Sequence, residues 1–270
     1  MPELDGKVAI VTGAGRLRGI GRAAAVGLAR LGANVVVTGT GRSPENYPQY
    51  EKDAGWSDIE STAEQVRAEG TRALPLVVDV TNRGHVQTMV DRTLQEFGRV
   101  DILMNNAAYA RGADRTPILD LDPDMFQKVM DVKVTGTYLC TAAVLRVLVD
   151  QGDGGKIVNV SSSAGKRGSA NTLAYNAANF AIVGMTQSMA RELGPQGINV
   201  NCVCPGAVDT FRMDDLERGE RWEQMAQNTP IGRNGTDDEV GGLMVYLCTE
   251  AASWITGQSI NINGGTIMEH

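Results

Sequence analysis

Short apolar runs alternate with longer helical patterns along the whole chain. The runs fall at residues 8–11, 34–37, 74–78, 102–104, 157–160, 198–203 and 259–262. Between them, apolar residues recur at helical spacing near 19–31, 58–69, 83–97, 123–149, 173–193 and 237–249. A strand that reads as a continuous apolar run is buried on both faces, which marks a parallel sheet covered by helices on both sides. The pattern therefore predicts an α/β fold: one doubly wound domain over residues 1–270, with a seven-stranded parallel sheet.

Two stretches break the rhythm. Residues 39–56 form a long polar connection, and residues 207–235 follow the sixth strand irregularly. Both leave the carboxyl-end edge of the sheet, where ligands bind in such folds. Long connections in a compact domain are more often functional than accidental, so 207–235 is read as a substrate loop and lid.

Composition narrows the partners. The formal net charge of −7 over 270 residues argues against general nucleic-acid binding. Residues 1–5 are short and partly acidic and run straight into a strand, so no leader is expected, and no apolar run approaches membrane-spanning length. Cys140, Cys202, Cys204 and Cys248 each sit in apolar surroundings. Cys202 and Cys204 are expected on opposite faces of their strand. No metal site or disulfide is expected, and a reducing cytoplasm is the natural compartment.

The first strand runs directly into Gly13-Ala-Gly15-Arg-Leu-Arg-Gly19-Ile20-Gly21, and then a helix. Glycines let a backbone approach a pyrophosphate closely, and a helix N-terminus offers free N–H donors and a positive dipole end. Arg16 and Arg18 lie in this loop. No acidic residue ends the second strand to receive a ribose 2′-hydroxyl. The chain reads Thr38-Gly39-Thr40-Gly41-Arg42-Ser43 instead. Hydroxyls and an arginine suit a 2′-phosphate, so NADP(H) is expected over NAD(H).

These motifs, with Asp79-Val80, Asn105-Asn106-Ala107-Ala108, Ser161-Ser162, Tyr175, Pro205-Gly206 and Ile255-Thr256-Gly257-Gln258, resemble the short-chain dehydrogenase/reductase family from Lys7 to Gly265. The glycine loop carries about two residues more than the family pattern, at Arg16 to Arg18. The resemblance implies that Asp79 and Val80 contact the adenine. It implies that Asn106 and Ala107 support the adenosine ribose side. Pro205, Gly206, Val208 and Thr210 would hold the nicotinamide. Tyr175 would be the acid/base, and Ser162 would hold the substrate oxygen.

The family follows its tyrosine with a lysine four residues on, where this chain has Asn179. It carries an asparagine in the preceding long helix, where this chain has Lys133. In the family that lysine bonds the nicotinamide ribose and supplies a charge beside the tyrosine. Asparagine can do the first and not the second. The reciprocal change suggests that Lys133 brings the charge to the same place from the other side.

The expected function is interconversion of a ketone or aldehyde with an alcohol on a medium-sized, hydrophobic or cyclic substrate. The alternatives are a non-redox lyase or isomerase, and a cofactor-binding sensor without turnover. The substrate wall is expected from residues 164–170 and 109–111, with Phe211, Met213 and Trp222; Lys166, Arg167 and Arg111 are placed to meet an acidic group. Surplus apolar residues on the helices at 123–149 and 173–193 imply, by the same resemblance, a homotetramer. The tail 266–270 is placed at a second subunit contact. His85 and His270 are not expected to catalyse.

Overall fold

The computed structural model describes residues 2–216 and 219–269. Its main strands are β1 (Val8–Val11), β2 (Asn34–Gly39), β3 (Ala73–Val77), β4 (Ile102–Asn105), β5 (Gly155–Val160), β6 (Ile198–Pro205) and β9 (Ser259–Ile262). They form one parallel sheet in the order β3-β2-β1-β4-β5-β6-β9. Two further strands, β7 (Val208–Asp209) and β8 (Gly235–Thr236), pair with each other and staple the ends of the connection 207–235.

Alternation within β1 shows why its sequence is apolar throughout. Ala9 and Val11 face one side and join Leu28, Val35, Val37, Met104 and Met244. Ile10 faces the other and joins Val36, Leu103, Met89, Val144 and Leu148. Helices α1 (Ile20–Arg30), α3 (Ile59–Ala68) and α9 (Asp237–Tyr246) cover the first side. Helices α4 (Arg83–Phe97), α6 (Gly136–Gln151) and α7 (Leu173–Leu193) cover the second. Two shorter helices, α2 (Gln49–Asp53) and α8 (Glu220–Gln227), lie in the two long connections. The strand order reverses at β1, whose Val11 pairs with Val37 of β2 on one side and Met104 of β4 on the other. The crevice above that reversal is where a ligand fits in such a sheet.

The helix expected at 123–149 is built as α5 (Pro123–Met130), a π-helical stretch Asp131–Thr135, and α6. A π-turn widens a helix locally and is frequent at functional sites; this one carries Lys133. By length and composition Pro123–Gln151 is apolar enough to cross a membrane, which the sequence reading did not anticipate. In this fold it packs against α4 and α7.

One expectation is overturned. Residues two apart on a strand share a face, and Cys202 and Cys204 lie together against Ile182. All four thiols are free and buried, and burial pushes Cys140 and Cys248 up to about 12. His85 accepts a hydrogen bond from the Asp79 amide, and His270 lies outside the described residues.

Helices α1 and α9 meet through small residues. A Cβ on Gly241 would lie 2.9 Å from both Ala23 Cβ and the Ala24 nitrogen. Gly241→Leu should therefore destabilise the protein by roughly 1–3 kcal/mol, the usual range for overpacking. A urea midpoint equal to that of the parent would show that the two helices can separate freely.

Candidate active site

The end of β1 is knotted to the end of β4. Thr12 Oγ1 accepts the amides of Asn106 (3.0 Å) and Ala107 (3.1 Å), and donates to the Met104 carbonyl. Asn106 Nδ2 donates to the Thr12 and Gly13 carbonyls, both at 2.9 Å. Gly13 turns at a φ of 68° with its Cα hydrogen against Ala107, and a Cβ there would come within 2.8 Å of the Ala107 Cα. Only glycine satisfies both demands.

The chain then enters α1 with Gly19 as N-cap and without a side-chain cap of its own; the Gly19 amide donates to Asp237 Oδ2 at 3.0 Å, and the following amides of the first turn remain available to an anion. Beside it lies a cavity of about 510 Å³. Gly13, Arg16, Gly19, Ile20, Thr40, Arg42, Asp79, Val80, Asn106, Ala107 and Thr210 all line it. A glycine cradle, an uncapped helix start and a long cavity over the sheet reversal fit a dinucleotide.

The extra loop residues Arg16 to Arg18 clasp the two long connections, and Arg16 also lines the cavity. Arg18 pairs with Asp209 and Asp214 and stacks on Tyr50, at 4.1 Å to the ring centroid. It does not line the cavity, because those carboxylates hold it to one side. Arg16 stacks on Phe211, and the Leu17 amide donates to Glu51. Arg42 is also engaged: Nη1 donates to Glu51 (2.7 Å), and Nη2 to Asp58 (3.2 Å) and the Gly15 carbonyl (3.0 Å).

Ser162 lies two residues beyond β5 and caps a short turn, Ser163–Gly165; its Oγ accepts the Ala164 amide at 3.1 Å, which leaves its own proton to donate. Tyr175 sits in the first turn of α7, half-exposed. Asn179 is one turn on and 1% exposed. Its Nδ2 donates to the Tyr175 carbonyl (2.8 Å), and its Oδ1 is buried without a partner. An orphaned acceptor at this depth is costly, and a ligand hydroxyl or an ammonium would satisfy it.

Lys133 does not reach bulk solvent. It is 5% exposed on the π-turn that packs against α7. Burial first, then the charge of Arg212, bring its ammonium from 10.5 down to about 8, opposed by Cys202 and Cys204. Two arginines flank the tyrosine ring, Arg115 at 3.9 Å and Arg212 at 5.4 Å from its centroid. Neither was singled out from the sequence. Arg115 lies in a polar stretch with no motif, and its place depends on the chain folding back over α7.

Other expected residues separate. Gly21 sits inside α1, where a Cβ would strike Asn106 Nδ2 and the Gly13 carbonyl. Pro205, Gly206 and Val208 follow β6 outside the cavity lining, with Gly206 packed on Asn263. Tyr109, Phe211 and Arg212 do line the cavity. Arg111 pairs with Asp215, and Lys166 with Glu269 of the tail at 2.6 Å, so both are already engaged. The pair with Lys166 brings the tail to the substrate wall. Asn176 Nδ2 holds that wall by donating to the carbonyls of Ala164 and Arg167.

The family described as enoyl-(acyl carrier protein) reductase matches residues 13–266. A 3-oxoacyl-[acyl-carrier-protein] reductase of Synechocystis is 36% identical over 269 residues, covering 99% of this chain and all of that protein. A cyclohexanol dehydrogenase of a Rhodococcus species is 36% identical over 97% of this chain and 96% of its own length. The solved structure of a short-chain type dehydrogenase/reductase from Mycobacterium marinum superposes with a TM-score of 0.85 at 34% identity, covering 99% and 98% of the two chains.

The buried lysine yields a stability prediction with a definite sign. Below pH 8 both folded and unfolded chains carry its charge, and the fold bears the full burial penalty. Between pH 8 and 10.5 the unfolded chain binds more protons, so stability rises with pH as the penalty fades. Lys133→Met should therefore be the more stable protein at pH 7, by up to roughly 3 kcal/mol. The gap should close towards pH 10.5. Equal chemical-denaturation midpoints at pH 7 would mean that the ammonium is fully compensated inside the fold.

Proposed function

Because the chain belongs to the short-chain dehydrogenase/reductase family of oxidoreductases, we propose that it interconverts a ketone or aldehyde with an alcohol. The observation that carries this reading is the retention of Ser162 and Tyr175, with Arg212 of the cavity lining lying over the tyrosine ring. When bound, the nicotinamide ring supplies or accepts the hydride. The chain's own residues handle the oxygen and the proton. Tyr175 donates its phenolic proton to the alkoxide oxygen during reduction and takes it back during oxidation. Ser162, whose Oγ accepts the Ala164 amide, donates its hydroxyl proton to the same substrate oxygen and stabilises the developing charge.

Asn179 and Lys133 divide the work that a single lysine does in relatives. Asn179 offers its unpartnered Oδ1 to a ribose hydroxyl of the cofactor. Lys133 brings positive charge to the far side of α7, and Arg115 and Arg212 add theirs over the tyrosine ring. Pro205, Gly206, Val208 and Thr210 are assigned to the nicotinamide end.

The substrate is a medium-sized, hydrophobic or cyclic carbonyl compound or alcohol, in keeping with Tyr109 and Phe211 at the cavity. The likeness to a cyclohexanol dehydrogenase supports this choice. The loop 207–235 serves as a lid. Tyr138 and Val149 on α6 and Phe180 on α7 stay exposed, which supports a homotetramer built on these helices, in the cytoplasm.

Oxidation of NADH or NADPH against a panel of ketones and aldehydes, run beside Tyr175→Phe, tests the reading. Turnover should fall by about two orders of magnitude or more in the variant, with cofactor binding unchanged. Full activity in Tyr175→Phe would remove the tyrosine from the chemistry.

The exchanged pair is tested by coupling. Lys133→Asn combined with Asn179→Lys should retain more activity than Asn179→Lys alone, because two ammonium groups then no longer face one site. Strictly additive effects on kcat would mean that the two positions act independently.

A further inference from the structure

The end of β2 has no acidic side chain, since Gly39 occupies its last position. The space such a side chain would fill is nevertheless occupied. A Cβ on Gly39 would lie 2.9 Å from Ile59 Cγ2 and 3.9 Å from Asp58 Oδ1. The carboxylate of Asp58 arrives from the far end of the long connection and lines the dinucleotide cavity beside Gly39 and Gly15. It comes so close to Gly15 that a Cβ there would sit 1.7 Å from Oδ1, so residue 15 must be glycine for the carboxylate to enter.

The approach is held under strain. Asp58 has a φ of 53° and a ψ of −128°, a conformation that side chains rarely adopt and that persists only when the surroundings fix it. Arg42 fixes it twice, through its amide to Oδ2 (2.9 Å) and through Nη2 to Oδ1 (3.2 Å). Trp56 fixes the neighbouring chain by donating its indole N–H to the Gly15 carbonyl at 2.8 Å.

The same contacts spend the positive charge that a 2′-phosphate would need. Arg42 is bound by Asp58 and by the fully buried Glu51, and Arg16 lies 3.8 Å from Glu51. Two guanidiniums face two carboxylates, and no net charge is left over.

We infer that Asp58 supplies the carboxylate that receives the adenosine ribose 2′-hydroxyl, and that the cavity therefore selects NAD(H) over NADP(H). The residues that made NADP(H) the expectation from sequence are thereby reassigned: Arg42 positions Asp58, and Arg18 clasps the connections. A neutral 2′-hydroxyl can donate to the carboxylate, whereas a 2′-phosphate meets it with like charge. The inference rests on the cavity taking a nicotinamide dinucleotide.

The experiment is titration of the full-length protein with NAD⁺ and NADP⁺ separately, followed by calorimetry and by the fluorescence of Trp56 and its fellow tryptophans. No substrate is needed. NAD⁺ should bind at least about tenfold more tightly. In Asp58→Asn, which keeps the size and loses the charge, the ratio should narrow to roughly threefold, mainly through a gain for NADP⁺. Tighter or equal binding of NADP⁺ by the parent protein overturns the inference without recourse to any variant. A preference for NAD⁺ that Asp58→Asn leaves intact removes Asp58 from the selection. Binding of neither nucleotide rejects the dinucleotide reading of the cavity itself, and the inference with it.

Discussion

The hydrogen-bond knot between Thr12 and Asn106 fixes the point on which the site depends. β1 and β4 point the same way, but their connections leave on opposite sides of the sheet. Without a tie at their carboxyl ends the crevice between those connections would have no fixed width. One threonine hydroxyl takes two amides, and one asparagine amide returns two bonds to the start of the glycine loop. Gly13 can then turn with a positive φ against Ala107, and α1 starts where its open amides face the cavity. The buried faces of β1 on both sides of the sheet make the knot rigid.

Around that fixed point, two charges have arrived from unexpected parts of the chain. An ammonium expected on α7 stands instead on the π-turn beside it, at Lys133. A carboxylate expected at the end of β2 is brought by Asp58, nineteen positions beyond Gly39. In both cases the position first expected holds a smaller or neutral residue, and at Gly39 the space it leaves is filled by Ile59 and Asp58. Electrostatics depends on where a charge sits and not on which segment delivers it. Desolvation applies to both, so each needs a compensating arrangement. Asp58 has Arg42 on two sides. Among the described residues Lys133 has no anionic partner of that kind, and it answers burial with a lowered proton affinity.

The seven main strands, their order of appearance and their parallel sense were legible, because burial on both faces leaves a continuous apolar signal. The short strands β7 and β8 were not, since two residues carry no period. At the site, the glycine loop could be read from the residues themselves, whereas the expectations for Ser162, Tyr175, Lys133 and Asn179 came through the family resemblance. Asp58 and Glu51 could not. Their importance comes from the long connection folding back over Gly15, and polar residues in a connection have no pattern of their own. The only local signal was the run of charged residues around Trp56. Cys202 and Cys204 were assigned to opposite faces, although the strand period of two puts them on one. Arg18 looked available in sequence and is occupied in the fold, because its partners Asp209 and Asp214 lie about 190 residues away.

The central claim is hydride transfer to a carbonyl carbon, with the protein supplying only proton and charge. The most direct measurement follows deuterium from NADH carrying two deuteriums at C4 of the nicotinamide ring into the alcohol formed from a cyclic ketone such as cyclohexanone. The account predicts one deuterium on the carbinol carbon for each nicotinamide oxidised. An altered substrate carrying no label, with the label still on the ring, would contradict it and turn the same fold to non-redox chemistry.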